Sequence, residues 1–151
     1  MAALSFLFFY PITLLIAGLD TGRMGWTKPY PIVFQCIALI LYTLGNIIGS
    51  WALLSNRYFS TFVRLQRERG HEVVTQGPYR FIRHPGYAGT ILAAIALPIG
   101  LGSVWALIPA TTGVCGFILR TKFEDEFLLR ELSGYNQYTS VVRYRLIPGV
   151  W

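Results

Sequence analysis

A chain of 151 residues has room for one domain, and 13 Lys and Arg against 7 Asp and Glu give it a net charge of +6. It is 54% hydrophobic and only 13% charged, against about 25% charged in an ordinary soluble domain. A soluble fold of this size cannot hide that much apolar surface, so the composition excludes a conventional water-soluble enzyme and points to an integral membrane protein.

In chain order, Met1–Leu19, Ile32–Ser55 and Gly86–Leu119 contain no Asp, Glu, Lys or Arg. A helix needs about 20 residues to cross hydrocarbon, so Ile32–Ser55 is one clean span. The first run lacks a basic leading segment and a convincing small-x-small cleavage site, and is read as a retained span rather than a signal. The third run is too long for one crossing. Pro98, Gly100 and Gly102 interrupt it, which predicts a hairpin of two short helices. The expectation is an all-α polytopic membrane protein of about four transmembrane helices, with residues 1–151 forming a single membrane domain. Cys36 and Cys115 fall inside spans without partner spacing and are read as packing residues.

Between the spans, NRYFSTFVRLQRERG (56–70) interleaves aromatics with arginines and reads as an amphipathic helix lying at the interface, with Gly70 placed to end it. HEVVTQGPYRFIRHP follows and leads into the hairpin. After the hairpin, RTKFEDEFLLREL (120–132) reads as a separate tail helix stopped at Ser133-Gly134, with Tyr135 and Tyr138 beyond it. Of the 13 basic residues, Arg23 and Lys28 lie in the first loop, six lie between Arg57 and Arg83, and five follow Leu119. The turn near Gly100 has none. That asymmetry places the middle loop and the C-terminal tail on the cytoplasmic side of the inner (plasma) membrane, and argues against nucleic acid as the partner. Some of these cations are available to anionic headgroups.

The two polar blocks, 64–87 and 120–145, flank the same hairpin and should meet in space. His84 precedes Pro85, which restricts it to extended backbone. Gly86 and Gly89 permit close backbone approach. An aromatic and basic belt at the membrane edge would use the same residue types, but a belt has no need of a rigid His-Pro-Gly turn. In the tail helix Arg120 and Glu124 share a face, in the poorer order for a simple stabilising pair. Glu126 and Arg130 have the better order and read as an ordinary surface pair, and Glu131 reads as solvated. Glu124 is therefore the candidate functional carboxylate, with Asp125 its neighbour. Three consecutive acids at a membrane surface make sense where a cation binds. No G-x-G-x-x-G follows a strand, and no P-loop, metal-ligand spacing or nucleophile elbow is present.

The stretch HEVVTQGPYRFIRHPGYAGTIL, followed after the hairpin by RTKFEDEFLLREL and two tyrosines, resembles the isoprenylcysteine carboxyl methyltransferase family and also phospholipid methyltransferases. The likeness covers roughly residues 64–148, which it marks as the catalytic region. It implies S-adenosylmethionine as cofactor, with contacts from Gln66, His71, Val73, Val74, Tyr79, His84, Pro85, Gly86, Tyr87 and Glu124. It implies that Arg120 faces the group being methylated, so that Arg120 and Glu124 are the catalytic pair. The partner implied is a lipid or lipidated substrate such as a prenylcysteine carboxylate. No metal is implied, and the oligomeric state stays open.

The physical chemistry is compatible with that resemblance. A sulfonium is held well by aromatic faces and a carboxylate, and the cofactor's own carboxylate suits donors such as His84 or backbone N–H groups. An amine of a phospholipid is an alternative acceptor. A membrane sterol or lipid reductase using NADPH is a second alternative, since such enzymes resemble the same turn. They usually carry Asn after the Pro and an acidic residue soon after the Tyr-x-Gly, where this chain has Gly86 and Thr90. A non-catalytic scaffold is a third.

Overall fold

A computed structural model describes residues 2–59 and 70–151, with side chains from Phe9 onward. Among the described residues every regular element is helical. The long helices are α1 (Ala2–Leu19), α2 (Ile32–Ser55), α3 (Pro85–Gly100) and α4 (Leu107–Glu131), and a short α5 (Tyr135–Val141) follows. A π-helical turn (Asp20–Met24) closes α1, and a 3-10 turn (Gly77–Arg80) precedes the His-Pro-Gly segment.

The long helices fall where four spans were expected. Among the described residues, α2 alone is both long and apolar enough to cross a membrane, and α3 is apolar but shorter. The hairpin is present, with two differences. Pro98 and Gly100, expected to interrupt the run, lie within α3, and the turn comes at Gly102 with φ +79. The hairpin's second arm and the tail helix expected at 120–132 are a single 25-residue helix, α4. Nothing between Leu107 and Glu131 breaks it, because Gly113 and Gly116 are isolated glycines and Pro109 sits in the first turn, where its missing N–H costs nothing. α4 therefore carries Arg120, Glu124 and Asp125 on the same helix as the second arm of the hairpin. It stops at Leu132, and Gly134 takes φ +82, as the tail's Ser-Gly pair predicted.

α3 packs most extensively on α2. Buried Ala38, Gly45 and Ala52 recur every seven residues on the facing side of α2, and the contact tightens to backbone distance at Gly45 and Gly89. A Cβ on Gly45 would stand 2.6 Å from the Gly89 carbonyl oxygen, and one on Gly89 would stand 2.5 Å from that of Gly45. Small residues let helices approach where no hydrophobic force drives them together. Cys36 and Cys115 are exposed on the outer faces of α2 and α4, so they are not the packing residues expected. On the outward face of an apolar helix a thiol needs no protein neighbour.

The end of the bundle opposite the polar blocks is tied by Asp20, which is wholly buried. It accepts hydrogen bonds from the Thr27 backbone N–H (2.7 Å), the Thr27 hydroxyl and the Ser103 hydroxyl (2.6 Å). Ser103 Oγ in turn accepts from the Ala106 N–H at the start of α4, and Thr27 Oγ1 accepts from Val104 N–H. One carboxylate therefore joins the α1–α2 loop to the hairpin tip. Burial acts to raise its pKa, but the Ser103 and Thr27 donors prevail and hold it below the usual carboxylate range.

Candidate active site

At the other end, the two polar blocks meet around a cavity that opens to solvent. Its walls are the 71–79 segment, the His84–Tyr87 turn at the start of α3, the Glu124–Leu128 turn of α4, and Tyr135 and Tyr138 of α5. Of the residues expected to hold a cofactor, His71, Val73, Val74, Tyr79, His84, Gly86, Tyr87 and Glu124 all line this space. Pro85 is buried beneath it at the first position of α3. Gln66 lies outside the described residues, as does most of the expected interfacial helix. Arg120 stands behind Tyr87 rather than in the cavity wall.

Tyr87, Arg120 and Glu124 form one connected group. The Tyr87 hydroxyl donates to Glu124 Oε2 at 2.6 Å and accepts from Arg120 Nε. The Arg120 Nε to Glu124 Oε2 distance is 3.5 Å. Glu124 is thus not a surface carboxylate: one oxygen is held by a phenol, and its charge faces a cavity rich in aromatic rings. By contrast, Arg130 Nε donates to the Glu126 backbone carbonyl at 3.2 Å, so the contact recorded between these two is to the main chain and not the carboxylate pair expected.

The residue that sequence reasoning undervalued is Asp125. It is 0% exposed and gathers both halves of the site. Arg83 Nη1 donates to both of its oxygens (2.9 and 2.8 Å), Arg145 Nε donates at 2.8 Å, the Tyr135 hydroxyl donates at 2.8 Å, and His84 Nε2 lies 3.2 Å away. Burial would raise its pKa, but the His84, Arg145 and Tyr135 contacts win and hold it well below the usual range. Backbone bonds reinforce the join, from Arg83 N–H to the Tyr144 carbonyl and from His84 N–H to the Arg145 carbonyl, each 2.9 Å. The C-terminal segment is thereby tied to the Arg83–His84 turn that lines the cavity. A signal for this was present in the arginine-histidine pair and the arginines near the C-terminus, but only folding reveals that one acid serves them all.

The aromatic walls are fixed by their hydroxyls. Tyr138 donates to the Tyr79 carbonyl at 2.6 Å, and Tyr58 donates to the Gly70 carbonyl at 2.7 Å while stacking on His71 at 4.4 Å. Burial raises the phenol pKa of Tyr79, Tyr135 and Tyr138, with Asp125 adding to the rise at Tyr135. These side chains are neutral hydrogen-bonding groups in the physiological range. Burial likewise lowers the pKa of His71.

Tyr87 also packs on Phe117 (centroids 5.8 Å apart). Phe117 belongs to a second, apolar groove of about 340 Å³ among α1, α3 and α4, which also includes Phe9, Thr13, Leu97 and Gly113. A polar cavity and an apolar groove therefore adjoin across Tyr87 and Phe117.

Among the described residues the fold is all-helical, with this cavity at the mouth of a tight hairpin. The sequence model of the phospholipid methyltransferase family matches residues 33–133, two thirds of the chain, and the protein belongs to that family. It is 28% identical over 109 residues to a probable protein-S-isoprenylcysteine O-methyltransferase of Oryza sativa subsp. indica, covering 70% of this chain and 57% of the relative. It is 28% identical over 107 residues to protein-S-isoprenylcysteine O-methyltransferase B of Arabidopsis thaliana (69% and 54%). The Schizosaccharomyces pombe protein-S-isoprenylcysteine O-methyltransferase is 29% identical over 113 residues (73% and 48%). The chain spans about half the length of the curated relatives it matches.

Proposed function

We propose that this protein is an integral membrane methyltransferase that uses S-adenosylmethionine to methylate the carboxylate of a lipid-like or prenylcysteine-type acceptor at the cytoplasmic face. The observation that carries the reading is the cavity where Glu124, Tyr79, Tyr87 and His84 converge. Its chemistry fits the cofactor: a carboxylate and phenol faces for a cation, and neutral phenols for uncharged polar atoms.

Bound there, the cofactor would supply an electrophilic methyl group for in-line attack by an acceptor lone pair, with the C–S bond breaking and its electron pair leaving on sulfur as the neutral thioether. The protein's part is then mostly positioning and exclusion of water. Glu124 offsets positive charge within the cavity. Tyr87, pinned between Glu124 and Arg120, holds the boundary between the polar cavity and the apolar groove. Arg120, on the far side of that boundary, draws an anionic head, and the groove accepts the hydrocarbon behind it. A carboxylate is already ionised near neutrality, so no general base is required.

The relatives named as isoprenylcysteine O-methyltransferases support a carboxylate acceptor. The family's own description points to one alternative, a phospholipid amine, which would have to lose a proton before attack. Melting of the detergent-solubilised protein tests the cofactor. S-adenosylmethionine or its demethylated product should raise the melting temperature, since a ligand selective for the folded state stabilises it, and NADPH should leave it unchanged. The reverse pattern would replace this reading with a reductase. Turnover on a prenylcysteine against a phosphatidylethanolamine then separates the two acceptors.

A further inference from the structure

His84 is held on three sides. Its backbone N–H donates to the Arg145 carbonyl at 2.9 Å, Pro85 follows it, and its ring stacks on Tyr87 with centroids 5.9 Å apart and planes 14° from parallel. The ring is 6% exposed and lines the cavity. Its Nε2 lies 3.2 Å from Asp125 Oδ1. An ionised carboxylate only accepts hydrogen bonds, and Asp125 is surrounded by donors from Arg83, Arg145 and Tyr135. A neutral imidazole has one N–H, and beside this acceptor it belongs on Nε2. Nδ1 is then left with a bare lone pair. Among the described residues no partner for Nδ1 is found, and it is not among the buried atoms lacking one, so it meets the cavity.

We propose that Asp125 is the positioning residue of this site: by accepting a hydrogen bond from the His84 Nε2–H it leaves Nδ1 as a hydrogen-bond acceptor for a cationic amine, that of the cofactor's amino-acid end. This rests on the cofactor reading above and reverses the polarity expected from the sequence, in which His84 donates to the cofactor's carboxylate. The neighbours agree. Glu124 reaches the same ring through Tyr87, whose hydroxyl it binds at 2.6 Å, so an amine beside Nδ1 would also feel a carboxylate. Arg83 and Arg145 face His84 from its own turn and from the C-terminal segment, but both guanidinium groups are directed to Asp125.

Two measurements test the assignment without relying on turnover. The chain has two histidines, so nitrogen-15 spectra of labelled protein in detergent show two imidazoles, and His71→Ala identifies which is which. His84 should show a protonated Nε2 and an unprotonated Nδ1; the opposite tautomer overturns the proposal. In Asp125→Asn the three other donors compete for a single amide oxygen, and the second His84 tautomer should appear. If the pure Nε2–H form persists in that variant, Asp125 is not what fixes the ring. Should Asp125→Asn fail to fold, the wild-type spectrum and the His84 variants still decide.

The second measurement is binding of S-adenosylhomocysteine to two isosteres. An Asn at 84 places its amide near the position of Nδ1, and a Gln places its amide near Nε2. His84→Gln keeps the contact to Asp125 and should bind about tenfold more weakly, the usual effect of losing one hydrogen bond to a charged group. His84→Asn should stay within about threefold. Equal affinities, or the reverse order, overturn the inference. Methylthioadenosine, which lacks the amino-acid end, should bind wild type and His84→Gln alike. A loss that persists with it would mean that His84 faces the adenine amine instead. Failure of the wild type to bind either compound would remove the cofactor reading itself, while the tautomer spectrum would still judge the Asp125–His84 pair.

Discussion

Glu124, Asp125 and Glu126 are consecutive acids that meet three environments, because successive helical residues turn by about 100°. Glu124 faces the cavity and Tyr87, Asp125 is sealed among two arginines and a tyrosine, and Glu126 meets Arg130 through its backbone carbonyl. Glu124→Ala should weaken S-adenosylmethionine binding by about tenfold to a hundredfold, the cost of one charge-assisted contact. Glu126→Ala should change it by less than about half a kcal/mol. Arg120→Ala should leave cofactor affinity nearly intact and lower methyl transfer, because Arg120 lies behind Tyr87. Isotherms and turnover on the same preparations check all three, and a loss of binding in Glu126→Ala alone would mean that the cavity carboxylate has been misassigned. Asp20 and Asp125 also make a pH prediction. Both have folded pKa values below the unfolded value of about 3.9. Their stabilisation is therefore complete above that value and is lost as pH falls through the folded one. Melting temperature in detergent should hold steady from neutrality to about pH 5 and fall below about pH 4. Asp20→Asn should shallow that fall, and an unchanged acid slope would show that the latch at the hairpin tip does not titrate with folding.

At the scale of elements, the α2–α3 seam sets the geometry of the site, because α3 carries His84 and Tyr87 at its start. Three glycines lie on that seam and they are not equivalent. A Cβ on Gly45 would press on the Gly89 oxygen at 2.6 Å and the Ala93 nitrogen at 2.8 Å, whereas one on Gly49 meets nothing within 4 Å. The atoms opposing Gly45 are backbone and cannot rotate aside, so only separating the helices relieves them. Gly45→Ala should cost about 1–3 kcal/mol, the usual range for overpacking. Gly49→Ala should be neutral or slightly stabilising, since it relieves the helix of glycine's conformational freedom without a clash. Melting of the pair decides it, and equal behaviour would mean that the helices part at Gly45 at little cost.

The whole molecule is pinned at its two ends by buried carboxylates. Asp20 fastens the hairpin tip to the first loop, and Asp125 fastens the hairpin mouth to the C-terminal segment, with the apolar helices between them. If the basic residues follow the positive-inside tendency, the Asp125 end faces the cytoplasm and the Asp20 end faces outward. Reporters fused after Arg64 and at Trp151 should read cytoplasmic, and one at Gly25 should read external. A cytoplasmic signal at Gly25 would show that the first helix does not cross.

Composition and pattern alone determined a good deal about this protein. Charge-free runs marked the long helices because burying a charge in hydrocarbon is costly. Gly102 marked the hairpin tip and Ser133-Gly134 the end of α4, because backbone restrictions act locally, whereas Pro98 sits inside α3 and breaks nothing. The motif around His84 and the acids of α4 also pointed to one site, and eight of the expected residues do line one cavity. What tertiary structure alone decided is which partner each polar group finds. Asp125 and Glu124 differ by one position in a linear string, and nothing local distinguishes a carboxylate with a cavity before it from one ringed by Arg83, Arg145 and Tyr135. The merger of the tail helix with α4 was also beyond local reading, since the polar block from Arg120 onward looks like a new element until packing shows the helix running through. Burial and charge pairing join residues from 10 to 83 positions apart, and only the folded chain brings those together.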